Sequence, residues 1–135
     1  MKPLTVVADT NVIVSALLWE GNESEIMALA ERGEIRLLTS LALLEELRKV
    51  LGYRRFGLVE KDVDDNVKYI LTLSKVVSPG RKLAAIREDQ ADNRVLECAV
   101  EGRARYIVSG DGHLLGLGKF KRIKIVRAKE FLSSE

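Results

Sequence analysis

The strongest indication of fold in this chain is a largely apolar run, residues 4–8, that leads directly into Asp9, Thr10 and Asn11. Short continuous runs of Val, Leu and Ile are typical of parallel strands that are buried on both faces. An acidic residue just past such a strand lies at the edge of the sheet where open α/β proteins bind ligands. Asp9 is therefore the first candidate functional residue, and its alternative role is to cap a helix that begins at Thr10.

Length and composition indicate one globular domain. The chain has 135 residues, of which 47% are hydrophobic and 31% charged, so residues 1–135 are predicted to form a single domain with one main core. A net charge of +2 is too small to identify a nucleic-acid-binding protein. The one cysteine, Cys98, excludes a disulfide framework and is predicted to be a core residue. No apolar stretch reaches the roughly 20 residues that cross a membrane, so a cytoplasmic protein without a membrane partner is expected.

Apolar runs alternate with helical periods along the chain. Strands are predicted at 4–8, 35–39, 76–77, 106–108 and 122–126. Helices are predicted from Thr10, from Asn22 with Glu25 as a capping box, from Ser40 to Gly52, and over 61–75, 92–102, 113–117 and 129–132. This alternation predicts an α/β sandwich of three layers, with a mostly parallel sheet between helices.

Two aspartates follow predicted strands. Asp9 follows the first strand and Asp111 follows the strand at 106–108, so both project from the same edge of a parallel sheet. If these strands are neighbours where the strand order reverses, the two carboxylates face each other across a crevice. Asp92 stands at the start of a helix, and that helix either returns from the opposite edge or dips toward the same crevice.

A fourth acid lies within a helix. Glu46 has Leu43 and Leu47 beside it on one apolar face, which predicts that Glu46 points inward and that Glu45 is solvated. Taken singly, each acid could be a cap, a turn residue or a surface residue. Together, converging carboxylates repel one another and favour a divalent cation, and a site of oxygen ligands indicates Mg²⁺ or Mn²⁺.

The order and spacing of these acidic segments resemble the PIN-domain family. The resemblance rests on residues 7–12 with Ser15, on 44–47, on 89–93 and on 107–111, and it extends over nearly the whole chain. The chain is similar to the subgroup of toxins from type II toxin–antitoxin pairs. No single segment is specific, and the combination carries the assignment.

The resemblance implies a five-stranded sheet and a metal-dependent endoribonuclease that uses Mg²⁺ or Mn²⁺. It implies that the catalytic and metal-binding acids are Asp9, Glu46, Asp92 and Asp111, with Asn11 and Ser109 as supporting residues. It also implies an RNA substrate, a small antitoxin and a homodimer. In-line hydrolysis by an activated water is expected, without a covalent enzyme intermediate.

Several alternatives stay open at this point. Asp89 could replace Asp92 as the metal-binding acid, and His113 stands where many relatives carry a further acid, which favours a supporting role for it. A phosphatase of the haloacid-dehalogenase type is disfavoured because Asn11 occupies the position of its second acid. A catalytically inactive PIN-like module that binds RNA or protein is the main alternative function.

Candidate contact residues come from surface chemistry. The RNA backbone is expected to meet cations such as Arg48, Lys49 and Lys119. Exposed apolar residues are expected to bind an antitoxin or a second copy of the chain, and the candidates are Trp19, Phe56 and Leu58.

Overall fold

The computed structural model describes residues 3–80 and 90–134. Its strands are β1 (Leu4–Ala8), β2 (Ile35–Thr39), β3 (Ser74–Val76), β4 (Tyr106–Val108), β5 (Lys119–Phe120) and β6 (Ile123–Val126). Its helices are α1 (Thr10–Leu18), α2 (Asn22–Glu31), α3 (Leu41–Leu51), α4 (Glu60–Leu73), α5 (Gln90–Glu101), α6 (Gly112–Leu117) and α7 (Ala128–Ser134), with a 3₁₀ turn at Arg54–Phe56. None of these helices is long and apolar enough to cross a membrane.

The strands form one sheet in the order β3-β2-β1-β4-β6-β5. All neighbouring pairs are parallel except β5 with β6, which pair antiparallel. Within the described residues the sheet therefore has six strands rather than five, and the difference is the two-residue edge strand β5. The strands that carry the two aspartates at their ends are neighbours, with Ala8 opposite Val108. The order reverses between these two strands, which makes this the position where open α/β sheets bind ligands.

Helices cover both faces of the sheet, which confirms the three-layer α/β prediction. Side chains of β1 alternate between the faces: Val6 and Ala8 lie in one core, and Val7 lies in the other. The first core is completed by residues of α1, α2, α3, α4 and α7, and the second mainly by residues of α5 and α6. The last three residues of β1 are buried on both faces, and they form a continuous apolar run without polar alternation.

The caps of two helices show where local sequence rules succeed and fail. Ser40 caps α3 as predicted, because its Oγ accepts a hydrogen bond from the Leu43 amide at 3.3 Å. The predicted cap of α2 at Asn22 is wrong. Gly21 is the N-cap, and the Ser24 Oγ accepts a bond from the Gly21 amide and donates one to the Gly21 carbonyl, both at 2.9 Å. Ser24, rather than Glu25, therefore supplies the side chain that accepts a hydrogen bond from the amide of the N-cap residue.

Cys98 is a core residue, as the sequence predicts. It lies in α5 with no solvent exposure, among the residues of the second core. Burial raises the pKa of the Cys98 thiol to about 12. The side chain therefore stays a neutral thiol near pH 7 and contributes by packing.

Candidate active site

Asp9 is held rigidly between β1 and α1. Its side chain is buried, with 5% exposure, and Oδ1 accepts a hydrogen bond from the Val12 amide at 2.9 Å. Oδ2 accepts a hydrogen bond from the Ser109 hydroxyl. The aspartate is thus both the N-cap of α1 and a fixed carboxylate at the end of the central strand.

Burial raises the pKa of the Asp9 carboxyl, and this effect outweighs the hydrogen bonds from Ser109 and Val12, which lower it. The negative charge of Asp111 raises the pKa further. Asp9 is therefore a carboxylate whose charge is not fully compensated by the residues around it. A cation beside it would stabilise the charged form.

The loop after β4 brings Asp111 next to Asp9. Ser109 is buried, and its Oγ donates to Asp9 while accepting a hydrogen bond from the Asp111 amide at 2.9 Å. Asp111 caps α6, because its Oδ1 accepts bonds from the His113 amide at 2.8 Å and the Leu114 amide at 3.2 Å. One serine hydroxyl therefore links the two aspartates that follow the neighbouring strands.

Asp92 lies in the first turn of α5, and this helix begins at the same edge of the sheet. Its side chain is buried, and its Oδ2 lies 3.7 Å from the Nδ1 of His113, which in turn lies 3.8 Å from the Asp111 Oδ1. Asp92, Asp111 and His113 each offer one ligand atom, and these three atoms lie within 4.8 Å of one another. Such a group can hold a metal ion. Asp89, the alternative acid, lies outside the described residues.

The pKa of Asp111 reflects its closeness to Asp92. Burial is the largest single effect and raises this pKa. The hydrogen bond with the Asp92 carboxyl, the bonds from the backbone amides of Leu114 and His113 and the charge of His113 lower it, and their sum outweighs burial. The net direction is a pKa below the ordinary value, so the Asp111 carboxylate is favoured beside Asp92.

Glu46 is the fourth predicted acid at this site. It lies on α3 between the buried residues Leu43 and Leu47 and is half-buried, whereas Glu45 is exposed. A pocket of about 90 Å³ is lined by all four predicted acids together with Thr10, Asn11, Ala91 and Val95. Elements separated by up to about 100 residues thus place four carboxylates around one small space, with no basic side chain among the described residues that line it.

Asn11 and His113, the two residues beside the acids for which a supporting role was expected, differ in how they reach the site. No hydrogen bond joins the Asn11 side chain to Asp9 within the described residues, and Asn11 instead contributes its backbone amide to Asp9. His113 lies close enough to Asp92 and Asp111 to join them in a group that could hold a metal ion. Its signal in the sequence is the two-residue spacing from Asp111, which brings it back over the site at the start of α6.

The expected RNA-contacting cations are dispersed. Arg48 forms an ion pair with Asp64 of α4. Lys119 lies in β5, beside Lys124, and Lys124 is level with Tyr106 at the amino end of β4. Lys119 is thus at the opposite end of the sheet from the acidic pocket.

Ser109→Ala tests the link between the two aspartates. Removal of the hydroxyl leaves one Asp9 oxygen and the Asp111 amide without their buried partner, so we expect a loss of about 1–3 kcal/mol in the free energy of unfolding. Because the serine bond lowers the Asp9 pKa, that pKa should rise further. Urea denaturation in EDTA measures the first effect. Ser133→Ala, which removes an exposed hydroxyl bonded within its own helix, is the control and should change stability little; equal losses for both variants would contradict the linking role.

Comparisons with known proteins agree with this geometry. A family model described as PIN domain matches residues 5–113. Similar solved structures include VapBC2 of Rickettsia felis bound to a promoter DNA fragment, with 12% identity, coverage of 90% of this chain and 97% of that chain, and a TM-score of 0.64. PAE2754 of Pyrobaculum aerophilum has 18% identity, coverage of 99% and 97%, and a TM-score of 0.63.

A further similar structure is VapC20 of Mycobacterium tuberculosis, a toxin that cleaves the sarcin-ricin loop, with 16% identity, coverage of 88% and 98%, and a TM-score of 0.57. At these identities the likeness to solved structures establishes the fold. Among curated proteins, none matches the sequence significantly.

Proposed function

The chain belongs to the PIN-domain family, a family of nucleases, and from that premise we propose that it is a metal-dependent endoribonuclease that hydrolyses RNA phosphodiester bonds. The observation that carries the proposal is the pocket of about 90 Å³ with four carboxylates around it. We further propose that residues 1–135 make up a single nuclease domain. The reaction is hydrolysis, with water as the nucleophile.

The donor set fits a hard divalent cation. Carboxylate oxygens are the ligands that Mg²⁺ and Mn²⁺ prefer, and the raised pKa of Asp9 indicates negative charge that its neighbours do not compensate. We propose that the ion is held by Asp9, Asp92, Asp111 and Glu46. When bound, such an ion lowers the pKa of water and draws negative charge from the phosphate oxygens.

The residues of the chain have separable roles in this proposal. Ser109 and the first turn of α1 fix the orientation of Asp9, so that its carboxylate needs no reorganisation when RNA binds. The Nδ1 of His113 lies 3.7 Å from the Asp92 Oδ2 and 3.8 Å from the Asp111 Oδ1, so this side chain can help to hold both carboxylates in place.

We also propose that the chain is the toxin of a toxin–antitoxin pair and acts in the cytoplasm. Support comes from the fold shared with VapBC2 and with the toxin VapC20. A small antitoxin or a second copy would have an apolar surface to contact, because Trp19 is 57% exposed and its ring packs edge-on to Phe56 at 6.0 Å. Phe56 and Leu58 are only partly exposed, because both pack against the first core.

Glu46→Gln and Glu45→Gln form a matched pair that tests the site. The two glutamates are adjacent in α3, but only Glu46 lines the pocket. We expect Glu46→Gln to slow cleavage of a generic RNA in Mn²⁺ by about 10- to 100-fold, since a weakened ligand set holds the ion less well. Glu45→Gln should keep its rate within about twofold, as expected for a solvated surface residue.

Three results would contradict parts of the proposal. Equal effects of the two substitutions would remove Glu46 from the site. Cleavage that persists in EDTA would exclude a requirement for metal. RNA binding without any cleavage in Mn²⁺ would identify the chain as a non-catalytic PIN-like module.

A further inference from the structure

A basic groove lies at the end of the sheet opposite the acidic pocket. Its volume is about 810 Å³, and its floor is formed by small and aliphatic residues of α5 and β6. Five cationic side chains line this basic groove, namely Arg103, Arg105, Lys119, Lys121 and Arg122. So many positive charges in one concavity stand out in a chain whose net charge is only +2.

Helix α5 connects the two sites. Ala91, Asp92 and Val95 of this helix line the acidic pocket, and Ala99 and Val100 line the basic groove. Asp92 and Val100 are eight residues apart, which corresponds to about 12 Å along the helix axis. This length is about that of four stacked nucleotides, at about 3.4 Å per phosphate along one strand.

The cations of the basic groove lack direct ion-pair partners in the described part of the chain, although Arg103 and Lys121 share a neighbouring cavity with Glu97 and Glu101. None of its five cations forms a salt bridge with an acid in residues 3–80 or 90–134. The nearest glutamates bind other groups: Glu97 forms an ion pair with Arg94 at 2.8 Å, and Glu101 accepts a hydrogen bond from the Gly80 amide at 3.0 Å. An anionic ligand would supply the missing counter-charge.

The backbone at the basic groove has features that cost stability. Lys119 of β5 is paired directly with Lys124 of β6, and like charges opposite each other destabilise an antiparallel pair. Arg103 and Lys121 are the only non-glycine residues of the described chain with positive φ, both at 55°, and both line the basic groove. Unfavourable backbone conformations that persist in this way are concentrated at binding and catalytic sites.

We propose that the basic groove binds the sugar-phosphate backbone of single-stranded RNA, on the part of the strand beyond the scissile phosphate. The inference rests on the proposed ribonuclease function and adds a second contact surface to it. The groove is concave, so a strand can enter it, whereas a flat lipid surface cannot reach its floor. A nucleic-acid strand carries one negative charge per nucleotide, so it offers a counter-charge to each of the five cations. An acidic polypeptide is the competing ligand, and the experiment must distinguish the two.

The test compares two triple variants that remove the same charge. K119Q/K121Q/R122Q removes three of the five cations that line the basic groove. R54Q/K68Q/K75Q removes three exposed cations elsewhere on the surface. Fluorescence anisotropy with a labelled single-stranded RNA of about 20 nucleotides is measured in EDTA, so that no cleavage is needed. We expect the groove variant to bind at least about tenfold more weakly, with a log–log salt slope smaller by about two, because three phosphate contacts are lost. The control should lose less than about threefold.

Equal weakening by the two variants would overturn the proposal, as would displacement of the RNA by polyglutamate at equal charge concentration. A protein that never cleaves RNA but shows the predicted difference supports the basic groove and rejects the nuclease function, so the two failures are distinguishable. Should the triple variant unfold, Lys121→Gly replaces it, because glycine tolerates positive φ. That variant should raise the melting temperature while binding RNA about two- to threefold more weakly, and unchanged binding would count against the proposal.

Discussion

Asp9→Asn is expected to lower RNA cleavage by about 10²- to 10³-fold, the effect of removing one group that stabilises charge at a reacting centre. The fold should survive, because asparagine is as good an N-cap as aspartate and its Oδ1 can still accept the Val12 amide. Initial rates of cleavage in saturating Mn²⁺ measure the effect. Asp65→Asn, an exposed residue of α4 paired with Lys61, is the control and should retain its activity. A fully active Asp9→Asn protein would exclude Asp9 from the reaction.

Asp9→Asn should also change how the stability of the metal-free protein depends on pH. The pKa of Asp9 is higher in the folded protein than in the unfolded chain, so the ionised carboxylate favours unfolding. Below the unfolded pKa, near 3.9, this penalty is absent; it grows as the pH rises through the folded pKa and is constant above it. In EDTA, Asp9→Asn should therefore gain stability relative to the parent protein as the pH is raised from 4 toward 7. Urea midpoints at several pH values measure the gain, and a difference independent of pH would show that the Asp9 pKa is not raised.

Removal of divalent metal is expected to abolish cleavage, and its addition should stabilise the protein. An ion that binds only the folded state adds about 2.7 kcal/mol at 100 times its dissociation constant. The double variant Asp92→Asn, Asp111→Asn should lose most of this gain, because both residues belong to the group that can hold an ion. Thermal unfolding with graded Mn²⁺ and Mg²⁺ measures the effect. An equal gain in the double variant would place the ion elsewhere.

Much of the fold follows from periodicity along the chain. The strands at Leu4–Ala8, Ile35–Thr39 and Tyr106–Val108 have the predicted bounds, because each is short and largely apolar and is buried between the layers toward its carboxyl end. Strand β5 has no such signal. It consists of a lysine and a phenylalanine at the edge of the sheet, and only the pairing with β6 defines it.

Part of the candidate site could likewise be predicted from the sequence, and part could not. Asp9 and Asp111 could be placed from strand ends alone, and Glu46 from its position between two buried leucines. The hydrogen bond from Ser109 to Asp9 depends on how the loop after β4 folds over β1, which residue spacing does not encode. The basic groove likewise joins cations from the loop between α5 and β4 and from the β5–β6 hairpin, which are not adjacent in the chain.

The lengths of the two outer strands bear on self-association. At one edge of the sheet β3 has three residues, and at the other β5 has two, one of them a lysine. Edges this short offer too few backbone groups for a strand from another molecule to pair with, and lysine discourages such pairing further. A dimer of this protein would therefore join through helical surfaces, with each six-stranded sheet remaining closed to extension and the chain resistant to edge-to-edge aggregation.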